Sequence, residues 1–67
     1  MRYTALVVVE GVRKTYEVEG ETPYQARVEA ALHFIKEYNL PARPYHLLRG
    51  GCISLQTHKD GRVKYEI

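Results

Sequence analysis

The chain has 67 residues, of which 45% are hydrophobic and 27% are charged, and its net charge is +2. A chain of this length is too short for a second core, and its composition is typical of folded proteins, so we predict one domain over residues 1–67. No apolar run reaches the roughly 18 residues of a membrane span and no signal peptide is visible, so no membrane association and a cytoplasmic location are expected.

The first two strands are predicted over residues 3–9 and 12–19, which are rich in β-branched and aromatic side chains and form a hairpin at Glu10-Gly11. If the loop has an even number of residues, the odd-numbered side chains of the first strand share one apolar face with the second strand. Leu6 and Val8 then point to the opposite face.

A helix follows the hairpin, because Thr22 is suited to the N-cap, Pro23 to the first helical position and Gln25 to a capping box. Asn39 is suited to the left-handed position that ends a helix, and Pro41 prevents its continuation. The apolar side chains of this helix recur every three or four residues, which predicts a core stripe. Its members are Tyr24, Val28, Ala31, Leu32, Ile35 and Tyr38.

Residues 41–51 contain two prolines and a glycine pair, which predicts an irregular loop. The last hairpin has apolar residues alternating over 53–57 and again over 63–67. The two rows share a face only if the connecting loop is odd, so we predict a three-residue loop over 59–61, with Gly61 in the left-handed conformation.

These elements predict an α+β fold of order ββαββ, an antiparallel four-stranded sheet with one helix packed on one face. One helix covers only one face, which leaves the aliphatic side chains of Leu6 and Val8 without cover. A homodimer with these two residues at its interface is therefore expected.

No catalytic, cofactor-binding or metal-binding motif is present in the sequence, so an enzyme is not expected. His33, His46 and His58 stand thirteen and twelve residues apart, whereas structural metal sites use close pairs. Cys52 could be a nucleophile beside His46 or His58, but the favoured interpretation is a small, half-buried strand residue.

The second half of the chain is mildly basic, with five Lys or Arg and two acidic residues after position 38. Basic and aromatic side chains interleave there, as they do in sites for single-stranded nucleic acid. The candidate residues for binding a partner or nucleic acid are Arg43, Tyr45, His46, Arg49, His58, Lys59, Arg62 and Lys64.

The stretch from Tyr16 to Ala26, followed by Ala30 and Ala31, resembles the passage from strand to helix in HicB-like antitoxins. In that family a hairpin leads through a Gly-acid-Thr turn into an Ala-rich helix. The resemblance implies a dimeric domain that occupies a toxin able to cleave messenger RNA. It covers about a third of the chain, and no functional residue is transferred from it.

The function predicted from the sequence is that of a small, non-enzymatic, homodimeric protein-interaction domain, with an antitoxin-like role implied by the resemblance. The alternative is a small protein that binds single-stranded RNA or DNA through its basic C-terminal half.

Overall fold

A computed structural model describes the backbone of residues 1–59 and 62–66 and the side chains of residues 1–56. Its elements, in chain order, are β1 (Arg2–Val9), β2 (Val12–Glu19), α1 (Pro23–Tyr38), α2 (Pro44–Arg49), β3 (Ile53–Lys59) and β4 (Arg62–Glu66). The strands are ordered β2-β1-β3-β4, and each neighbouring pair is antiparallel.

The first hairpin closes through two residues, since Val9 pairs with Val12. Glu10 and Gly11 both have positive φ, 46° and 83°, as the favoured two-residue turns of hairpins require. The predicted even loop is therefore confirmed, and with it the separation of the two faces of β1.

The core lies on the face of the sheet that α1 covers, and α1 contacts β1, β2 and β3. Alternate residues of β1 point into it, because successive side chains of a strand lie on opposite faces. The buried strand residues are Tyr3, Ala5, Val7, Val18, Ile53 and Leu55.

Both ends of α1 follow the predicted signals. The Thr22 hydroxyl accepts a hydrogen bond from the backbone N–H of Gln25 at 3.2 Å, and Pro23 occupies the first turn. Asn39 adopts the left-handed conformation, and the N–H of Leu40 donates to the carbonyl of Ile35 at 3.0 Å. These contacts satisfy backbone groups that a helix end leaves without partners.

The predicted core stripe of α1 is only partly correct, since Ala31 is buried as predicted but other members of the stripe are exposed. Ala26, Ala30 and Phe34 are buried, whereas Tyr24 and Leu32 are 64% and 45% exposed. Alanines allow the helix to approach the sheet closely, so the larger apolar residues next to them are turned towards solvent. The stripe was predicted from the spacing of apolar residues, which fits more than one face of this helix and so did not identify the face that packs.

The predicted ββαββ fold, a four-stranded sheet with one helix, is also wrong. The packed unit is a three-stranded antiparallel sheet, β2-β1-β3, with two helices, and β4 is attached to it through backbone pairing with β3. The second helix, α2, occupies most of the segment expected to be a loop. Pro44 does not break it but begins it, since proline is favoured at the first helical position.

The pairing of β3 with β4 differs from the prediction as well. Lys59 belongs to β3 and pairs with Arg62, which excludes the three-residue loop that was to begin at Lys59. In this register Val63 is opposite His58 and Tyr65 is opposite Gln56. The predicted conformation of Gly61 lies outside the described residues, as do Asp60 and Ile67.

Candidate interaction surface

The face of β2-β1-β3 opposite α1 carries no helix among the described residues, and we call it the open face. Its described side chains are those of Arg2, Thr4, Leu6, Val8, Arg13, Thr15, Glu17, Glu19, Ser54 and Gln56, from the strand register. A shallow depression of about 210 Å³ lies at its centre and is bordered by Leu6 and Arg13. The open face is thus the largest sheet surface on which a partner could lie flat.

Leu6 and Val8 lie on the open face, as the strand alternation predicted. Leu6 is half-buried between Thr15 and Ser54 on the neighbouring strands, and Val8 is 38% exposed next to Arg13. Neither is covered by the segment between α1 and β3. Two adjacent aliphatic side chains in contact with solvent give this face an apolar centre, and their role in a dimer remains a prediction.

Charges on the open face are separated along the strands. Arg13 lies at the end near the first hairpin, whereas Glu17 and Glu19 lie at the other end, where Arg2 is opposite Glu19. The Thr4 hydroxyl donates to a Glu17 carboxylate oxygen at 2.6 Å, which holds that acidic side chain against the sheet. The described part of this face therefore has a positive end and a net negative end.

The first four candidate residues for a partner or nucleic acid cluster around α2, where Arg43, Tyr45, His46 and Arg49 are all exposed. The rings of Tyr45 and His46 are stacked, with centroids 4.1 Å apart. The Nδ1 atom of His46 accepts the backbone N–H of Arg43 at 3.0 Å. That imidazole therefore helps to begin α2, a structural role that the sequence did not suggest.

The other four candidates, His58, Lys59, Arg62 and Lys64, lie on β3 and β4 and are described by their backbone alone. β3 starts beside α2 at Ile53 and runs away from it to Lys59, a distance of roughly 20 Å at about 3.3 Å per residue. The backbone of His58, Lys59 and Arg62 therefore lies at the end of β3 and β4 that is away from α2.

A polar cluster that the sequence did not reveal ties α1 to β2. The hydroxyl of Tyr16 donates to a Glu37 carboxylate oxygen at 2.8 Å, and Lys14 Nζ lies 3.0 Å from the other oxygen. The ring of His33 stacks on Tyr16 with centroids 5.6 Å apart. No sequence pattern pairs a strand with a helix 21 residues later, so only the packing of α1 identifies this cluster.

The charges of the cluster alter its titration. The hydrogen bonds from Tyr16 and Lys14 lower the pKa of Glu37, and the hydrogen bond and charge of Glu37 raise the pKa of Lys14. Burial, followed by the hydrogen bond to Glu37, raises the pKa of Tyr16. Each shift favours the protonation state present at neutral pH, as expected of groups that stabilise one another in a structural link between α1 and β2.

The described side chains contain no group of three His, Cys, Asp or Glu that could hold a metal ion. Cys52 is half-buried and packs against the core, as predicted, but it lies just before β3 and not within a strand. His33 and His46 stack on tyrosines, as described above, whereas the side chain of His58 lies outside the described part.

The chain matches no family model, and comparison with curated proteins and with solved structures finds no significant match. The resemblance to HicB-like antitoxins is thus a prediction that these comparisons do not test. Over the described residues, neither helix has the length and apolar character needed to span a membrane.

Proposed function

We propose that the protein is a small, non-enzymatic interaction domain that forms a homodimer through its open face, with Leu6 and Val8 at the interface. The observation that carries this proposal is the aliphatic pair of half-buried Leu6 and exposed Val8 at the centre of a sheet face that has no helix among the described residues. Burial of apolar surface is the main favourable term in association of proteins. A cytoplasmic location is part of the same proposal.

The charges of the open face favour a second copy as the occupant. A two-fold axis that lies between the two stacked faces and runs perpendicular to the strands would bring Arg13 of each protomer over the end that carries Glu17 and Glu19 in the other. The same axis would bring Leu6 against its own counterpart. The face is thus complementary to itself in both charge and apolar character.

The size of the face predicts a weak dimer. Three strands about 4.8 Å apart and roughly 26 Å long present a projected area of about 370 Å². Stable complexes bury roughly 800 Å² on each partner, so we expect dissociation in the micromolar range or above.

Sedimentation equilibrium from about 1 µM to about 1 mM tests the proposal. The native chain should shift from monomer to dimer with concentration, whereas the double variant Leu6→Lys and Val8→Lys should remain monomeric. The matched control is Leu32→Lys, which places the same charge at an apolar position of α1 that is 45% exposed.

The control variant should dimerise like the native chain, and circular dichroism should show that all three proteins are folded. A native chain that is monomeric at every concentration, or a double variant with the native mass, would contradict the proposal.

The antitoxin-like form of the proposal adds a second protein partner and rests on the resemblance from Tyr16 to Ala26 alone. Its test is co-expression with a small protein encoded beside the gene whose expression alone arrests growth. Relief of that growth arrest would support this role, and unchanged arrest with the chain well expressed would remove it.

Binding to single-stranded nucleic acid is the second candidate, because Tyr45 is 48% exposed between Arg43 and Arg49. An exposed aromatic ring beside arginines can stack on a base while the cations bind phosphates. Filter binding to single-stranded RNA at two salt concentrations tests it. We expect the native chain to bind with an affinity that falls as salt rises. Binding should be lost in the double variant Arg43→Gln and Arg49→Gln and kept in the double variant Leu6→Lys and Val8→Lys.

A further inference from the structure

A groove between α1 and α2 is lined by Tyr24, Arg27, Leu48, Gly51 and Ile53. Its volume is about 310 Å³, which is at the lower end of the range for ligand sites. The groove is on the helix side of the sheet, whereas the proposed dimer uses the other side. A ligand could therefore occupy it in the monomer and in the dimer.

Among the described residues that line the groove, Arg27 is the only charged one. Its side chain is half-buried, and within the described residues it forms no ion pair or hydrogen bond. A guanidinium that is partly withdrawn from water has lost some of its hydration. A carboxylate stabilises it most strongly, because the two groups form two parallel hydrogen bonds. Arg27 therefore selects for an anionic group.

The other walls of the groove select for an apolar body next to that anion. Leu48 and Ile53 supply aliphatic surface, and a Cβ placed on Gly51, whose φ is +67°, would meet no heavy atom within 4 Å. One side of the groove is therefore open backbone that a ligand can approach closely. Tyr24 stands at the rim and has the most exposed ring among the large hydrophobic residues of the described part.

Tyr24 also separates the groove from a second depression, which is bordered by Glu19 and Glu29. These two carboxylates would repel a ligand that carries several negative charges, such as a nucleic acid. A single carboxylate matches the single arginine. Tyrosine and arginine together are the side chains most often found at the energetic centres of protein interfaces.

We infer that this groove binds a segment of a partner polypeptide in which an Asp or Glu is flanked by aromatic or aliphatic residues. The acidic side chain pairs with Arg27, and a neighbouring apolar side chain packs on Tyr24 and Leu48. This site gives the interaction domain a binding surface for an acidic, apolar segment, and it does not depend on the homodimer.

Titration of the isotope-labelled chain with two peptides, followed by backbone amide NMR, tests the inference. The probes are acetyl-Phe-Glu-Leu-amide and acetyl-Phe-Gln-Leu-amide, which have nearly the same shape and differ in the carboxylate. The glutamate peptide should shift the amides of Tyr24, Leu48 and Gly51, and it should bind at least about tenfold more tightly than the glutamine peptide.

The variant Arg27→Gln should remove the difference between the two peptides. Arg49→Gln, at an exposed arginine of α2 that does not line the groove, should keep it. The NMR spectrum of each variant without peptide shows directly whether it is folded. If Arg27→Gln does not fold, the same titration of the native chain at about 0.05 M and about 0.5 M salt replaces it. Because the groove is open to solvent, an ion pair at Arg27 should weaken as the ionic strength rises.

Equal affinity for the two peptides, or shifts confined to other parts of the chain, would overturn the inference. Binding of 3-phenylpropionate as tightly as the glutamate peptide would overturn the polypeptide as occupant. Sedimentation of the same samples shows separately whether the dimer forms, so the failure of one proposal is distinguishable from that of the other.

Discussion

The two faces of β1 show how one strand serves two purposes. Tyr3, Ala5 and Val7 are almost completely buried under α1, whereas Leu6 and Val8, their neighbours in sequence, are half-buried and exposed. The covered face holds the fold together, so its residues cannot change without loss of stability. The open face contributes much less to stability, so its side chains are available for binding.

The largest effect expected from this comparison is the difference between Leu55→Ala and Leu6→Ala. Leu55 is fully buried beside Ala5, so its truncation should cost about 2 to 5 kcal/mol. A chain of this length has a total stability of about 3 to 10 kcal/mol, so this variant should lose a large share of its stability. Leu6→Ala should cost about 1 kcal/mol or less, measured by urea denaturation of dilute, monomeric protein.

Similar losses of stability in Leu55→Ala and Leu6→Ala would contradict the difference between the two faces. They would mean that Leu6 is as important as Leu55 to the stability of the monomer. Repeating the urea denaturation at high protein concentration sharpens the comparison. An interface at Leu6 adds stability only when the dimer forms, so Leu6→Ala should then cost more.

The second effect concerns the close approach of α1 to the covered face. Ala30 is fully buried, so Ala30→Leu should destabilise the chain by about 1 to 3 kcal/mol through overpacking. Lys36→Leu, at an exposed position of the same helix, is the matched control and should change stability by about 0.5 kcal/mol or less. If Ala30→Leu is tolerated as well as the control, the helix is not held close by its alanines.

The third effect concerns the turn that assigns each residue of β1 and β2 to one of the two faces. Gly11 has a φ of +83°, so Gly11→Ala should cost about 1 kcal/mol. Glu10 has a φ of +46°, and Glu10→Asn should stabilise the hairpin by about 0.5 kcal/mol, because asparagine is favoured at that position. Thermal unfolding of both variants tests whether one substitution lowers the stability and the other raises it. A loss of stability in both variants would contradict the turn geometry.

The smallest effect is the pH dependence of the link between α1 and β2. Because the pKa of Glu37 is lowered in the folded state, its contribution to stability is present at neutral pH. It is lost as the pH falls through the lowered pKa, below the ordinary value of about 4.3. The stability difference between the native chain and Glu37→Gln should therefore narrow on acidification, as measured by urea denaturation at several pH values. A constant difference would contradict the shift.

The sequence predicts the features of this chain that depend on neighbouring residues. The two-residue turn at Glu10-Gly11 and both ends of α1 are local effects of backbone conformation and capping, and these predictions are confirmed. The outward position of Leu6 and Val8 follows from the same turn, because the parity of a hairpin loop fixes which residues share a face.

Two of the predictions that failed depend on contacts between separate elements. Which face of α1 is buried depends on how closely the helix approaches the sheet. The register of β3 with β4 depends on which backbone groups of the two strands form hydrogen bonds. Helix α2 was missed because proline both breaks and begins helices, and only the following residues distinguish the two. The groove at Arg27 could not be predicted without α2, which forms one of its walls.

The position of Lys14 affects how far self-association can proceed. β2 is an edge strand, and Lys14 lies on its covered side, opposite Val7 and within 3.0 Å of Glu37. A charged side chain directed inwards on an edge strand discourages the addition of another strand, since the charge would have to be desolvated. Growth of continuous β-fibrils along this edge is thereby disfavoured. The proposed association through the open face can then stop at the dimer.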